Sequence, residues 1–224
     1  ALRQQTHPEL LHQLIVIDNG STDDTAAIAQ QHGAIVVHQP KRGAAAARNA
    51  GLAIATGDII CCTDADCTPT ADWLVQISAP LRQHPHLTAC KGVYLTQQKE
   101  LVARFVQLEY EDKYDLLRPQ PTIDFIDTYS AAYRREALQA SGGFNEAIFY
   151  VEDQELSFRL AAQGHQMVFQ PSAAVYHLHA HTLWGYLRKK YYIAYWKAQV
   201  TRRFPERAVR DSHTPQVMKV QMGL

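Results

Sequence analysis

The chain has 224 residues, 46% of them hydrophobic, with 22 basic and 22 acidic side chains and a formal net charge of zero. This composition excludes an intrinsically disordered chain, suffices for one large α/β domain or two small ones, and leads us to expect no nucleic-acid partner. The charge is unevenly placed: residues 1–180 carry 13 Lys and Arg against 20 Asp and Glu, and residues 181–224 carry 9 against 2, so an acidic body is followed by a basic tail.

In chain order, β-rich runs at HQLIVID (12–18), AIVVHQ (34–39), DIICCTD (58–64) and LTACKGVYL (87–95) alternate with amphipathic segments near 23–32, 44–55, 71–83 and 99–117. Apolar strands separated by helices imply crossover connections and an α/β, Rossmann-like, mainly parallel sheet flanked by helices. After Pro119 and Pro121 the rhythm changes: a short strand at 128–133, a helix at 135–140, a turn at Gly142-Gly143, a helix following Glu152, then two strands, QMVFQP and SAAVYHL. One domain over 1–180 with an extension over 181–224 is the expected division. Cys61, Cys62, Cys67 and Cys90 lack paired metal spacing, so neither a disulfide nor a cysteine metal site is expected and a reducing compartment is the default.

Five stretches carry candidate chemistry. IDNGSTDDT (17–25) puts Asp18 and Asn19 at a strand end, where ligands of open α/β sheets gather, while Ser21 or Thr22 is expected to cap the next helix. KRGAAAARNAG (41–51) matches neither a P-loop nor GxGxxG, and leaves Arg48 either a phosphate contact or a solvated base. In DIICCTDADCTP (58–69), Asp64 and Asp66 alternate along an extended chain and would share one side, a repulsive pair that Mg²⁺ or Mn²⁺ would turn into a binding site. The plainer alternative has Asp66 capping the following helix. FYVEDQELSFRL (149–160) sets Glu152 and Asp153 at a helix start, where acids also favour the helix dipole. VYHLHAH (175–181) offers three alternating histidines as zinc ligands or as partly buried polar groups, with His177 the single candidate.

Taken in order, IVIDNGSTDDT, RGAAAARNAGLAIATGDIICCTDADC, GGFNEAIFYVEDQELSFRLAAQGH and PSAAVYH resemble the family 2 glycosyltransferases with the A-type (GT-A) nucleotide-diphospho-sugar fold, over nearly all of residues 1–180. The resemblance implies that Asp18 contacts the nucleobase, Arg48 lies near the nucleotide, and Asp64 meets the ribose or metal. It also implies that Asp66 holds a divalent ion on the diphosphate, His177 completes the metal shell, Asp153 is the general base, and Gly142-Gly143-Phe144 lies under the acceptor. A lone carboxylate base without a covalent nucleophile implies an inverting transferase. The donor would be a nucleoside-diphosphate sugar, a UDP-sugar first, and the acceptor a carbohydrate or a lipid-linked molecule. Two departures stand out: Asp18-Asn19 replaces the family's usual Asp-Asp, and LRQQTHPEL resembles the end of the family's first helix, so the fold is expected to lack its first strand.

The tail segment 181–210 interleaves Trp184, Leu187, Tyr191 and Tyr195 with Arg188, Lys189, Lys190, Lys197, Arg202 and Arg203. It reads as a basic amphipathic helix, either on an anionic membrane surface or packed on the body with a solvated face. A cytoplasmic protein at the cytoplasmic face of the membrane is the matching expectation. The rivals are a sugar-phosphate nucleotidyltransferase and a non-catalytic or degenerate nucleotide-binding module; in the second, Asp64, Asp66 and Asp153 would be scattered in space.

Overall fold

A computed structural model describes residues 1–209 of the chain. Seven strands form two sheets: β1 (Ile15–Asp18) pairs in parallel with β2 (Ile35–His38), and a five-stranded sheet has the order β3-β6-β5-β7-β4. In that sheet β3 (Ile59–Thr63), β4 (Cys67–Pro69), β5 (Leu87–Leu95), β6 (Ser130–Arg134) and β7 (Gln166–His177) alternate with or precede helices. These are α1 (Thr25–Gln31), α2 (Ala44–Ile54), α3 (Trp73–Gln83), α4 (Leu101–Leu117), α5 (Arg135–Ala140), α6 (Glu152–Ala162), α7 (Leu183–Arg203) and α8 (Glu206–Val209). The α/β architecture and most strand and helix positions match the sequence expectation.

The larger sheet is mixed, however, and not mainly parallel. β6 runs antiparallel to both β3 and β5, β4 runs antiparallel to β7, and only β5 and β7 are parallel. The direction of β6 follows from its connection. Strand β5 leads into α4 and then residues 118–129, and β6 enters at Ser130, opposite Thr63 at the C-terminal end of β3. A crossover that returned the chain to the start of β5 would have made β6 parallel.

The two short apolar runs expected at 166–178 are one strand. β7 bulges between Phe169, opposite Lys91, and Ala174, opposite Val93, and Pro171 sits inside that irregularity, where its missing N–H costs no ladder bond. Gly92 faces the bulge. Any Cβ there would meet the Ala173 carbonyl oxygen and Ser130 Oγ, so the position admits only glycine for lack of space.

Alternation along β5 and β6 splits the core between two faces. Ala89, Ala131, Tyr133 and Met167 pack with Leu52, Leu138, Leu156 and Leu160 from α2, α5 and α6. Cys90, Ala132, Ala173 and Val175 pack on the other face against Trp73, Leu74, Ile77 and Leu81 of α3. Trp73 Nε1 donates to Ser130 Oγ at 2.8 Å, and that hydroxyl donates on to Ala173 O at 3.0 Å, so this buried polar link is fully partnered. Helix α7 lies back on the body through buried Val200, which packs with Ile148 and Phe158, and through Tyr192, stacked on Tyr150 with centroids 5.6 Å apart. Among the described residues, no helix is long and apolar enough to cross a membrane.

Candidate active site

The segment that follows β3 answers where the acidic pair points. β3 stops at Thr63, and the Cys67 amide closes a turn by donating to the Asp64 carbonyl at 3.1 Å. The two aspartates therefore do not share one face of an extended strand. Asp64 Oδ1 accepts from Arg48 NH2 at 3.0 Å, while Asp66 Oδ2 faces His177 Nε2 at 3.2 Å. The missed element is β4, whose pairing with β7 sets Cys67 opposite His177 and so brings Asp66 beside that ring.

Arg48 is the hub of the first group. Its side chain is 17% exposed, and its NH1 donates to Glu152 Oε1 while NH2 holds Asp64. One guanidinium from α2 thus neutralises a strand-end carboxylate and a helix-start carboxylate, 16 and 104 residues away in sequence. Burial opposes its charge, but Glu152 and Asp64 outweigh burial and keep the guanidinium protonated. The Phe144 ring lies 5.6 Å below it. That ring is held by Asn49, which accepts from the Phe144 amide at 2.8 Å and donates to its carbonyl at 2.9 Å.

Asp153 follows Glu152 on the first turn of α6. The preceding Val151 has φ +57°, a left-handed conformation that costs a β-branched residue roughly 1–2 kcal/mol. Strain of this kind persists only where the surroundings impose it. Burial, then Glu152 and Asp127, push the Asp153 carboxyl well above its ordinary range, against the smaller opposing pull of Arg48. Its one hydrogen bond among the described contacts is from the Gln154 amide, at 2.8 Å. Asp127 is paired with the fully buried Lys91.

The second group surrounds His177. Its ring lies 4.4 Å from Tyr94, which is stacked on Tyr129, and its Nδ1 is 3.0 Å from Nδ1 of His179. His179 is buried as well, and burial pushes its pKa down to about 4. His181 is exposed, so the three alternating histidines do not form one ligand face. The His177 hydrogen bond holds the Asp66 carboxyl below its usual range.

Asp66, Cys67 and His177 place one ligand atom each within 4.8 Å of one another. Burial pushes the Cys67 thiol up to about 12, so it stays protonated at neutral pH and donates to Asp66 Oδ1 at 3.6 Å. The remaining donors, a carboxylate oxygen and an imidazole nitrogen, fit a hard divalent cation such as Mg²⁺ or Mn²⁺.

Asp18 lies apart from both groups, at the end of β1. It accepts from the Ser21 amide at 2.9 Å and from His38 Nδ1 at 3.1 Å, the strand-register partner. The Ser21 contacts first, then His38, pull its pKa down to about 2. Neither Ser21 nor Thr22 caps α1: the N-cap is Asp24, and Asp23 accepts from the Thr25 amide at 3.1 Å. Asn19 braces the 39–43 loop, donating to Gln39 O and Lys41 O at 2.7 Å each and accepting from Gly43 N at 2.8 Å. That loop leads into α2 and Arg48.

Arg48 therefore joins Asp64 to Glu152, the chain neighbour of Asp153, while Asp66 and His177 are reached through the turn after Asp64. Glu152 as the Arg48 partner, Asn49, Asp127 and Gln107 were not singled out from the sequence, and His179 was read only as one of three alternating histidines. The sequence signals were the adjacency of Glu152 to Asp153 and the histidine alternation at 177–181.

Comparison with known proteins follows the same lines. Residues 1–142 match the family described as glycosyl transferase family 2. The pre-mycofactocin glycosyltransferase of Mycobacterium tuberculosis is 28% identical over 204 residues, 87% of this chain and 43% of that protein. Poly-beta-1,6-N-acetyl-D-glucosamine synthase of Staphylococcus aureus is 25% identical over 80% of this chain and 45% of its own length. The chain thus spans less than half the length of these curated relatives. Among solved structures, the mannosyltransferase PcManGT from Pyrobaculum calidifontis, in complex with GDP-Man and Mn²⁺, shares the fold with a TM-score of 0.71 at 23% identity. That alignment covers 92% of this chain and 58% of that one. Glucosyl-3-phosphoglycerate synthase from Mycobacterium tuberculosis, with Mg²⁺ and UDP, gives 0.59 at 22% identity over 80% and 66%. On its sequence match over residues 1–142, the chain belongs to glycosyl transferase family 2.

Proposed function

We propose that the protein is an inverting glycosyltransferase that moves a sugar from a nucleoside-diphosphate donor to an acceptor hydroxyl. The observation that supports the reading is the meeting of Asp64 and Glu152 on one guanidinium, which ties the start of α6, where Asp153 stands, to the end of β3, from which the turn bearing Asp66 leaves. A binding module with scattered acids would have no reason to converge this way. The solved relatives with GDP-Man or with UDP and divalent metal support the donor class.

In this reading Asp18 meets the nucleobase, and Arg48 and Asp64 face the nucleotide. Asp66 and His177 would hold Mg²⁺ or Mn²⁺, whose positive charge offsets the charge that develops on the departing diphosphate. Asp153 accepts the acceptor's hydroxyl proton. As it does so, the acceptor oxygen bonds to the anomeric carbon from the face opposite the diphosphate, and the bond to the diphosphate oxygen breaks with its electron pair. Configuration inverts because only one displacement occurs. A raised pKa suits this task, since a base that binds its proton more tightly takes it more readily once ionised.

Calorimetry with UDP, GDP and dTDP, each with and without Mn²⁺, tests the donor site. Nucleoside diphosphate binding that depends on Mn²⁺ is expected, with the dependence lost in Asp66→Asn. Binding that ignores the metal and the Asp66 change would overturn the metal-assisted reading.

We also propose that α4 and α7 rest on an anionic membrane surface. Leu101, Phe105 and Leu108 on α4 are exposed along one face, and Phe105 meets Tyr186 of α7 edge to face at 5.7 Å. Leu183, Trp184, Leu187 and Tyr191 continue the exposed apolar surface along α7, where Trp184 is 76% exposed. The neighbouring Arg188 and Lys189 supply charge complementary to acidic headgroups. Sedimentation with phosphatidylserine-containing vesicles should show binding that weakens as salt rises. No binding at low salt would sink the proposal.

A further inference from the structure

The turn that leaves α5 is gripped from two sides. From one side comes Arg159 on α6, whose NH1 donates to the Ser141 carbonyl and whose NH2 donates to the Gly143 carbonyl at 2.7 Å. From the other comes Asn49 on α2, which bonds both the amide and the carbonyl of Phe144 and leaves no room at Gly143: a Cβ there would lie 2.6 Å from Asn49 Oδ1. Gly142 and Gly143 have φ of +82° and +72°, so only a backbone that accepts the left-handed region passes between the two grips.

The Arg159 fork is itself oriented. Glu155, with a side chain 1% exposed, accepts from Arg159 NH2 on Oε2 at 3.0 Å and from Nε on Oε1 at 3.4 Å, and Arg203 of α7 stands 3.4 Å from Oε1 as a second cation. These contacts close a ring. Asn49, the chain neighbour of Arg48, holds Phe144; Arg159 holds Gly143; Glu155 orients Arg159; and one turn back on α6 Glu152 binds Arg48. The buried Phe144 side chain lies within that ring, with the Arg48 guanidinium 5.6 Å from its centroid. A plainer role for Arg159 would be to neutralise the end of α5, whose C-cap is Ser141, and any cation would serve there. Holding the Ser141 and Gly143 carbonyls at once while bound to Glu155 needs the planar fork of a guanidinium.

We propose that Arg159 is a positioning residue for the donor site: its grip on Ser141 and Gly143 fixes Phe144 beneath Arg48, and with it the guanidinium that meets the nucleotide. The nucleotide half rests on the transferase reading; the positioning half rests on contacts within the chain. Without the fork, Asn49 alone holds the turn, the Phe144 ring shifts, and the guanidinium shared by Asp64 and Glu152 loses the surface beneath it.

Arg159→Lys in the full 224-residue chain separates this role from a helix cap, because lysine keeps the charge and loses the fork. In proton–nitrogen NMR spectra without ligand, the Arg48 Nε–H resonance should carry a ring-current shift that Phe144→Leu removes, and Arg159→Lys should move it towards the Phe144→Leu position. An Arg48 resonance left at its wild-type position would overturn the proposal. In the wild type alone, the Arg159 Nη hydrogens should give separate signals at low temperature; a single averaged signal would overturn the grip whether or not any variant folds. Calorimetry with UDP and with GDP, each with Mn²⁺, should find binding about 10-fold weaker in Arg159→Lys, the loss of one charge-assisted hydrogen bond. Wild-type affinity in that variant would reduce Arg159 to a cap and overturn the proposal. If the wild type bound neither UDP nor GDP, the transferase reading would fall and the nucleotide half with it, while the Arg48 resonance would still decide the positioning half.

Discussion

Asp153→Asn is expected to lower sugar-transfer turnover by about 10²–10⁴-fold while making the folded chain more stable at neutral pH. The two effects have one cause. Burial, with Glu152 and Asp127 nearby, raises the folded pKa of Asp153 above its ordinary value of 3.8. The folded state then keeps a proton that the unfolded chain releases. That contribution to stability is complete below about 3.8 and is lost as pH rises through the folded value. Asparagine cannot ionise, so the variant escapes the loss. Thermal midpoints across pH 4–8 should diverge in favour of the variant as pH rises, whereas Asp18, Asp66 and Glu146, with lowered pKa values, act in both proteins and in the opposite direction. Unchanged turnover would remove Asp153 as the base; an unchanged pH slope of stability would remove the buried, raised carboxyl.

Arg48→Met should be the more damaging substitution for the fold. Glu152 has a side chain only 8% exposed, and loss of the guanidinium leaves that carboxylate buried without a cation. Removing one partner of a buried pair costs about 3–5 kcal/mol, far more than the pair contributes relative to an apolar replacement. Urea unfolding should therefore show a midpoint shift of that size. The double variant Arg48→Met, Glu152→Gln should recover a large part of it, because the stranded charge is gone. Asp64, with a side chain 39% exposed, is expected to rehydrate at little cost. A single-variant loss below about 1 kcal/mol would mean that the bridge behaves as a surface pair and does not assemble the site.

Where the candidate residues stand in the fold was largely legible, and little of their wiring was. Asp18, Asp64, Asp66 and Asp153 stand where a strand gives way to a turn or a helix begins, and those boundaries are local properties of the chain. Glu152 shows the limit. At a helix start it is explained adequately by the dipole, and only the approach of α2 reveals that it holds Arg48. Gln107 shows it more sharply: on the exposed-looking pattern of α4 nothing separates it from a solvated glutamine until β5, β7 and α4 are packed together.

The sequence by itself determined the order of elements and the places where acidic chemistry is offered, because hydrophobic period, strand-forming runs and turn residues act over a few neighbours. Tertiary structure alone decided that β6 and β4 run against their neighbours, that Asp64 and Asp66 part company at a turn, and that His177 meets Asp66. The physical reason is the same for all three. Strand direction, turn position and ion-pair choice depend on which distant groups arrive at hydrogen-bonding distance, and that is fixed only when the packed core brings residues 16 to more than 100 positions apart into contact.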